Sequence, residues 1–209
     1  DWSQYHLANC YISGEGVKKD ADEALRWFRA AAEQGDSAYQ YQLAVSLHKG
    51  PLTYQDGKQD MPEILKWYRL AAEQGEIDAL RALNYLYEQG GGVKKDEAEA
   101  LNWLRLAAMW GDESSQGFLG DRYASGKGVA KDEVEAFAFY RLASVQPSNP
   151  AQKNVRAGEK LTELESKMSP DARERGVRRA DVLKSEIAAR LKARETERDA
   201  RNATKLSGR

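Results

Sequence analysis

The chain has 209 residues, of which 41% are hydrophobic and 31% are charged, and its formal net charge at pH 7 is −1. The sequence holds no run of about 18 apolar residues, the length that a membrane-spanning helix needs. Its single cysteine, Cys10, excludes an internal disulfide and a cysteine-based zinc site.

The charges are distributed unevenly along the chain. Residues 1–150 carry 16 Lys and Arg against 23 Asp and Glu, a net charge of −7, whereas residues 151–209 carry 16 against 10, a net charge of +6. This asymmetry predicts an acidic body with a basic C-terminal segment. The chain starts at Asp1, part-way into a repeat, so we expect upstream sequence such as a signal peptide or further repeats.

Four stretches of the chain repeat at a period of 36 residues, with four extra residues in the second stretch. The period is carried by several columns of equivalent residues: Trp27, Trp67, Trp103 and Phe139; Ala31, Ala71, Ala107 and Ala143; Leu7, Leu43, Leu83 and Leu119; Gly14, Gly50, Gly90 and Gly126. A period of this length indicates stacked supersecondary units, each unable to bury its apolar face alone.

The third repeat shows how each unit is built. Ala79, Leu83 and Tyr87 are spaced i, i+4, i+8, which predicts one face of a first helix that ends at Gly90. Asp96 then caps a second helix, and the glutamate three residues later completes a capping box. The same pairs recur in the other repeats as Asp20/Glu23, Asp60/Glu63 and Asp132/Glu135.

The second helix of each unit carries the Trp and Ala columns, and their period assigns them to the core rather than to a ligand cage. Gly35, Gly75 and Gly111 end this helix in the first three units. The equivalent position of the fourth unit is Pro147, and proline cannot continue a helix, so we expect the array to end there.

The C-terminal segment predicts two further helices that cover the last repeat. The second begins with Ser169 as N-cap and Pro170 at the first helical position, and it continues as an amphipathic stripe to Leu191. The remainder is expected to be a charged helix end or a disordered tail. Pairs such as Glu174/Arg178 and Glu186/Arg190 favour a self-paired, solvated helix over a surface for nucleic acid or anionic membrane.

The repeated pattern is Leu-small-x-x-Tyr-x-x-Gly-x-Gly-Val-x-x-Asp, followed by Ala-x-x-Trp-x-x-x-Ala-Ala-x-x-Gly. Over about residues 3–146 it resembles the Sel-one-like repeat family, which is related to the tetratricopeptide repeat. The resemblance implies an all-α fold, a right-handed superhelical solenoid of four helix-turn-helix repeats with C-terminal capping helices. The predicted domains are a solenoid at 1–147 (repeats about 1–35, 36–75, 76–111 and 112–147), capping helices at 148–193, and a charged, disordered tail at 194–209.

The second repeat departs most from the pattern. It lacks the Gly-x-Gly-Val turn, it has Ile64 where the other repeats have Ala, and it carries the longer loop GPLTYQDGKQD. Asn84 also stands where the family pattern has a small residue, which predicts looser packing there.

The resemblance to tetratricopeptide solenoids implies that first-helix positions off the core stripe line a concave groove for a protein or peptide partner. Tyr5, Tyr41 and Tyr85 would act as apolar anchors, since exposed Tyr beside Arg is typical of binding hot spots. The candidate groove residues are Tyr5, Asn9, Tyr41, Val45, His48, Arg81, Tyr85, Glu88 and Asp121. The alternative is that these are scattered surface aromatics without a partner.

The function predicted from the sequence is a non-enzymatic scaffold without cofactor or metal, and nucleic acid is not an expected ligand. His6 and His48 occupy different repeat positions, and the GEGVKKD-type turns lack the Gly-Lys-Ser/Thr ending of a phosphate loop. The acidic body favours a partner segment with Lys or Arg. The family's habits imply a bacterial source, in the periplasm or envelope rather than the cytoplasm. The alternative is a structural subunit of an envelope or secretion assembly that acts through the C-terminal helix.

Overall fold

A computed structural model describes residues 2–49, 60–145 and 155–207, and the regular structure in these ranges is entirely helical. The helices are α1 (Trp2–Ser13), α2 (Ala21–Ala32), α3 (Ser37–Lys49), α4 (Met61–Glu73), α5 (Ile77–Gln89), α6 (Glu97–Met109), α7 (Glu113–Ser125), α8 (Glu133–Val145), α9 (Val155–Lys167) and α10 (Pro170–Ser207). The long loop of the second repeat after Lys49 and the predicted end of the array at Pro147 lie outside the described residues.

Two compact units divide the chain, Asp1–Asp96 and Glu97–Arg209. In the first unit, each of the helices α1 to α5 packs against its neighbour in sequence. In the second unit, α6 packs on α7 and α7 on α8, while α9 and α10 both pack on α8. Packing of helices on their sequence neighbours is the property of a helical repeat array, so the predicted all-α solenoid class is confirmed.

The repeated columns form the interior of both units. The four alanines of the Ala column are no more than 1% exposed, as are Leu43, Leu83 and Leu119. Trp67 and Phe139 are buried, whereas Trp27 and Trp103 are half-buried. Small alanines let neighbouring helices approach, and the large rings fill the remaining space. The assignment of these columns to the core is therefore confirmed.

Aspartate N-caps begin the second helices, as predicted. The Asp20 carboxylate accepts hydrogen bonds from the backbone N–H groups of Asp22 and Glu23 at 3.0 and 3.1 Å. Asp60 caps α4 in the same way through the amide of Glu63 at 3.1 Å. Asp132 caps α8 through the amides of Val134 and Glu135.

A capping box also predicts a hydrogen bond from the cap residue's own amide to the glutamate three residues later. This part of the prediction is wrong in the first and fourth repeats. The amide of Asp20 donates to the carbonyl of Tyr11 at 3.1 Å, and that of Asp132 donates to the carbonyl of Tyr123 at 3.0 Å. Neither amide therefore donates to the glutamate. The amide of Asp96 likewise donates to the carbonyl of Tyr87 at 2.9 Å. This bond folds the cap back onto the end of the preceding helix.

The turn that permits this bond needs two left-handed residues. Gly90 has φ 77° and Gly92 has φ 79°, a backbone conformation that costs other L-residues about 1 kcal/mol or more. Gly90 also ends α5, with its amide bonded to the carbonyl of Leu86 at 2.9 Å. The Gly-x-Gly spacing of the repeat is thus explained by backbone geometry.

The C-terminal helices are anchored on the fourth repeat. Ala180, Leu183 and Ile187 of α10 share a core cluster with Leu101 and Phe139. The predicted N-cap of α10 is present, because the amide of Ala172 donates to the Ser169 hydroxyl at 3.2 Å.

Two expectations for the C-terminal segment differ from the structure. Helix α10 continues to Ser207 through the region assigned to a disordered tail, which matches the other predicted alternative, a charged helix end, because the strong helix formers Ala, Arg, Glu and Lys dominate it. The Glu174–Arg178 pair forms as predicted. Arg190, however, lies over the Trp110 ring at 5.3 Å rather than against Glu186, since the indole offers a cation–π contact. None of the helices in the described ranges combines the length and apolar character needed to cross a membrane.

Two glycine substitutions test the packing of α10 on α8. A Cβ at Gly176 would stand 2.5 Å from Cδ1 of Phe137, whereas the nearest atom to a Cβ at Gly158 is 4.0 Å away. We expect Gly176→Ala to lower the free energy of unfolding by about 1–3 kcal/mol through overpacking. The control Gly158→Ala should raise it by about 0.5–1 kcal/mol, because alanine is the better helix former.

Urea unfolding followed by circular dichroism would measure both changes. Equal stabilisation by the two alanines would contradict the close approach of α10 to Phe137.

Candidate functional site

The first predicted groove residues, Tyr5 and Asn9, are largely used within the fold. The half-buried Tyr5 ring packs against Phe28 at 5.4 Å and Tyr39 at 5.3 Å between ring centroids. Asn9 donates its side-chain amide to the carbonyl of Tyr5 at 3.0 Å. Tyr5 therefore joins α1 to the helices that follow it, whereas Asn9 bonds within α1.

An aromatic cluster lies further along the first unit, on α3 and α4. Tyr68 of α4 is almost fully buried, with its ring 6.0 Å from Tyr41 and 6.1 Å from His48. Its hydroxyl lies 3.4 Å from Nδ1 of His48. Tyr68 therefore contacts two of the predicted groove residues, Tyr41 and His48. Sequence reasoning did not select Tyr68, because it followed the neighbouring Trp column.

Burial controls the protonation of this cluster. It raises the pKa of the Tyr68 and Tyr41 hydroxyls, and for Tyr41 the carboxylates of Asp78 and Glu76 add to the effect. Burial also lowers the pKa of His48 below 6.5, with a smaller contribution from the Lys49 ammonium. The cluster is consequently a neutral, polar-edged aromatic surface at pH 7.

Helices α3 and α5 approach each other near both of their ends. The Ser37 hydroxyl donates to the Glu76 carboxylate at 3.4 Å near their starts, and the Lys49 ammonium lies 5.9 Å from the centre of the Tyr85 ring near their ends. We define the α3–α5 face by seven residues of these two helices: Tyr41, Val45, His48, Lys49, Arg81, Tyr85 and Glu88.

Tyr85 is the most exposed aromatic side chain of this face. It is 57% exposed, whereas Tyr41 and His48 are partly buried against Tyr68. Arg81, one helical turn from Tyr85, is exposed and lies 3.7 Å from the Asp78 carboxylate. Val45 and Glu88 are half-buried. The α3–α5 face thus presents the exposed Tyr85 ring near the cations Lys49 and Arg81, beside the packed aromatic cluster around Tyr68.

Asp121, the remaining predicted groove residue, belongs to the second unit. Its carboxylate accepts a hydrogen bond from the Tyr140 hydroxyl at 2.7 Å and pairs with Arg156 at 3.2 Å and with Lys160. Burial, and then this hydrogen bond, raises the pKa of Tyr140. Asp121 is therefore an internal hub that links α7, α8 and α9.

A cleft opens beside this hub in the second unit. It has a volume of about 160 Å³, and its lining residues are Ser114, Gly117, Phe118, Asp121, Tyr140, Arg156, Ala157 and Lys160. The Phe118 ring is 52% exposed, and the Arg156 guanidinium lies 6.0 Å from its centre. Sequence reasoning missed this cleft, because Arg156 and Lys160 come from a helix outside the repeats.

One signal in the sequence does point to both clusters. The position directly after the Trp column reads Phe28, Tyr68, Leu104 and Tyr140. The two tyrosines depart from an apolar column, and each places its hydroxyl against a first-helix side chain. Within the part of the chain that the structure describes, no group of three or more His, Cys, Asp or Glu is placed to hold a metal ion.

The helical hairpins, their packing on sequence neighbours and their shared columns define an α-helical repeat protein of the solenoid class. The Sel1 repeat model matches residues 3–36, 37–76, 77–112 and 114–144, and the chain belongs to the Sel1 repeat family. Sel1 repeat proteins are generally protein-interaction scaffolds.

Solved structures carry the same fold. A protective antigen present in uropathogenic Escherichia coli, which displays an SLR fold, is 32% identical with a TM-score of 0.63; the match covers 93% of this chain and 40% of the antigen. A Sel1 repeat protein from Oxalobacter formigenes is 31% identical with a TM-score of 0.58, over 87% of this chain and 71% of that protein. The chain therefore spans less than half of the antigen. No curated protein is significantly similar to it.

The environment of His48 predicts a pH dependence of stability. Because its pKa is lower in the folded chain than the ordinary 6.5, the unfolded chain binds more protons between these two values. The free energy of unfolding should therefore fall as the pH drops below about 7, and His48→Gln should remove this part of the loss.

Urea unfolding between pH 5 and 8 would measure the effect, with His6→Gln on the exposed side of α1 as control. A His48 imidazole NMR titration with a midpoint at or above 6.5 would contradict the prediction.

Proposed function

We propose that this chain is a non-enzymatic scaffold whose α3–α5 face holds a segment of a protein partner. The observation that carries the proposal is the exposed Tyr85 ring, placed between Lys49 and Arg81 on helices whose other faces are filled by the core. Tyrosine and arginine are the residues that most often dominate binding free energy at interfaces. The family's general role as a scaffold supports the same class of function.

Preorganisation is the mechanism that this face supports. Tyr41 and His48 are held by Tyr68, so their positions are set before a partner arrives. Little side-chain entropy is then lost on binding, which leaves more of the contact energy as affinity. Rings and ion-paired side chains of this kind recognise a partner without reacting with it.

Charge favours a partner segment that carries Lys or Arg. The first unit holds 15 acidic against 11 basic residues. Two of the carboxylates, Glu76 and Asp78, lie close enough to Tyr41 to raise the pKa of its hydroxyl. A cation of the partner would be attracted to this end of the face, while the Tyr85 end would receive an apolar side chain.

The proposal is tested by truncating Tyr85. Tyr85→Ala should leave the melting temperature unchanged, because the ring is exposed, and should weaken partner capture about tenfold or more. Tyr85 is a cleaner choice than Tyr41, whose ring also packs on Tyr68. The measurement is affinity capture from a bacterial lysate with quantified recovery, followed by a binding titration with the retained protein.

The matched control is Trp2→Ala, which removes an exposed aromatic side chain from α1 instead. Unchanged affinity in Tyr85→Ala would exclude the α3–α5 face as the binding surface.

A second candidate function is a structural subunit that docks through α10. This helix runs to Ser207, and residues 195–201, which follow its last contacts with the core, are all exposed. The Escherichia coli relative is a protective antigen, which supports an envelope role for this alternative.

Shortening α10 distinguishes the two functions. The chain should end after Arg194, because Ile187 belongs to the core and the Arg194 guanidinium lies 5.5 Å from the centre of the Trp110 ring. If the α3–α5 face binds the partner, this shortened chain should keep full capture and an unchanged melting temperature. Loss of capture in the folded, shortened chain would favour the α10 function.

A further inference from the structure

The cleft of the second unit arises from two substitutions in the repeat register. Where the other repeats have Tyr5, Tyr41 and Arg81, the fourth has Gly117, which has no side chain to fill the space. The next position reads His6, Gln42 and Ala82 in the other repeats, and here it is the exposed Phe118. The fourth repeat therefore combines a gap with an apolar wall.

Positive charge exceeds negative charge at this cleft. Arg156 and Lys160 both pair with the single carboxylate of Asp121, which also accepts the Tyr140 hydroxyl. On α9, Glu159 is exposed and does not line the cleft, and Glu163, which acts on Tyr140, is paired with Lys167 at 2.6 Å. One positive charge is left over among the groups that line the cleft.

The cations keep donors for a ligand. The Arg156 side chain is 66% exposed and bonds Asp121 through Nη2, whereas a guanidinium has five N–H donors. The Lys160 ammonium has three donors and is about one-third exposed. Asp121 and Tyr140 hold these groups above the cleft, so an incoming anion would meet donors that are already oriented.

We propose that this cleft binds the carboxylate side chain of an acidic residue in a peptide segment. The carboxylate pairs with Arg156 and Lys160, and an apolar neighbour of that residue packs on Phe118. A carboxylate fits because a guanidinium binds it through two parallel N–H···O bonds. A volume of about 160 Å³ holds one side chain rather than a whole helix. This site is separate in chemistry from the α3–α5 face and does not depend on it.

The test uses short synthetic peptides and the isotope-labelled full chain in NMR titrations. The probe is acetyl-Phe-Glu-Phe amide, and the matched peptide has Gln in place of Glu. We expect the Glu peptide to shift the amides of residues 114–121 and 156–160 saturably, with at least about tenfold higher affinity than the Gln peptide. The binding should weaken in high salt, because Arg156 is solvent-exposed.

Two variants locate the interaction. Arg156→Gln should lower the affinity for the Glu peptide about tenfold or more without loss of helix content, since its side chain lies mostly in solvent. The control Lys184→Gln removes an exposed cation from α10 that does not line the cleft, and it should bind like the unchanged chain.

Three results would overturn the proposal. The first is equal binding of the Glu and Gln peptides, and the second is unchanged affinity in Arg156→Gln. The third uses one more probe, the Gln peptide with a free C-terminal carboxylate in place of the amide: binding of this peptide alone would replace the side-chain carboxylate with a terminal one.

Discussion

In the repeats with a Gly-x-Gly turn, a backbone hydrogen bond joins the cap aspartate of the second helix to the last turn of the first. The amides of Asp20, Asp96 and Asp132 donate to the carbonyls of Tyr11, Tyr87 and Tyr123. The bond requires the chain to reverse within a few residues, which two left-handed glycines allow. It satisfies one amide of the helix start and one carbonyl of the helix end, groups that are otherwise left without a partner within their own helices.

This bond also explains what the glutamate three residues after each cap does. In the repeats where the cap amide has this acceptor, the glutamate is not needed for the capping box, and the glutamate of the second repeat also binds elsewhere. Glu63 accepts from the Trp67 indole at 3.3 Å and pairs with Arg29 of α2 through bonds of 2.9 and 2.7 Å, and Glu99 accepts from Trp103 at 3.0 Å. Glu135 pairs with Arg179 of α10 at 2.6 Å. The same repeated residue thus connects second helices to different neighbours. A partly buried, ion-paired carboxylate contributes more to the free energy of unfolding than a fully exposed one.

Sequence reasoning recovered the parts of this protein that depend on local spacing. The buried columns and the aspartate caps recur in all four repeats and the Gly-x-Gly turn in three of them, and their physics involves residues a few positions apart. The contacts of Asp121 could not be inferred in this way. They require the position of α9, which follows the repeats and has no equivalent in them. The same reason explains Arg190, whose contact with Trp110 depends on how α10 lies against α6, and not on the i, i+4 spacing to Glu186.

The non-periodic residues decide what each repeat can bind. The first-helix position two residues after the Leu column reads Asn9, Val45, Tyr85 and Asp121. The periodic residues place all four at the same point of a helix, yet Asn9 bonds its own helix, Val45 is half-buried, Tyr85 is exposed, and Asp121 gathers two cations. The core therefore places equivalent first-helix positions in the same way in every repeat. What each repeat can recognise depends on the side chain at that position. The exposed ring at one such position and the paired cations at another explain why the two units offer surfaces of different character.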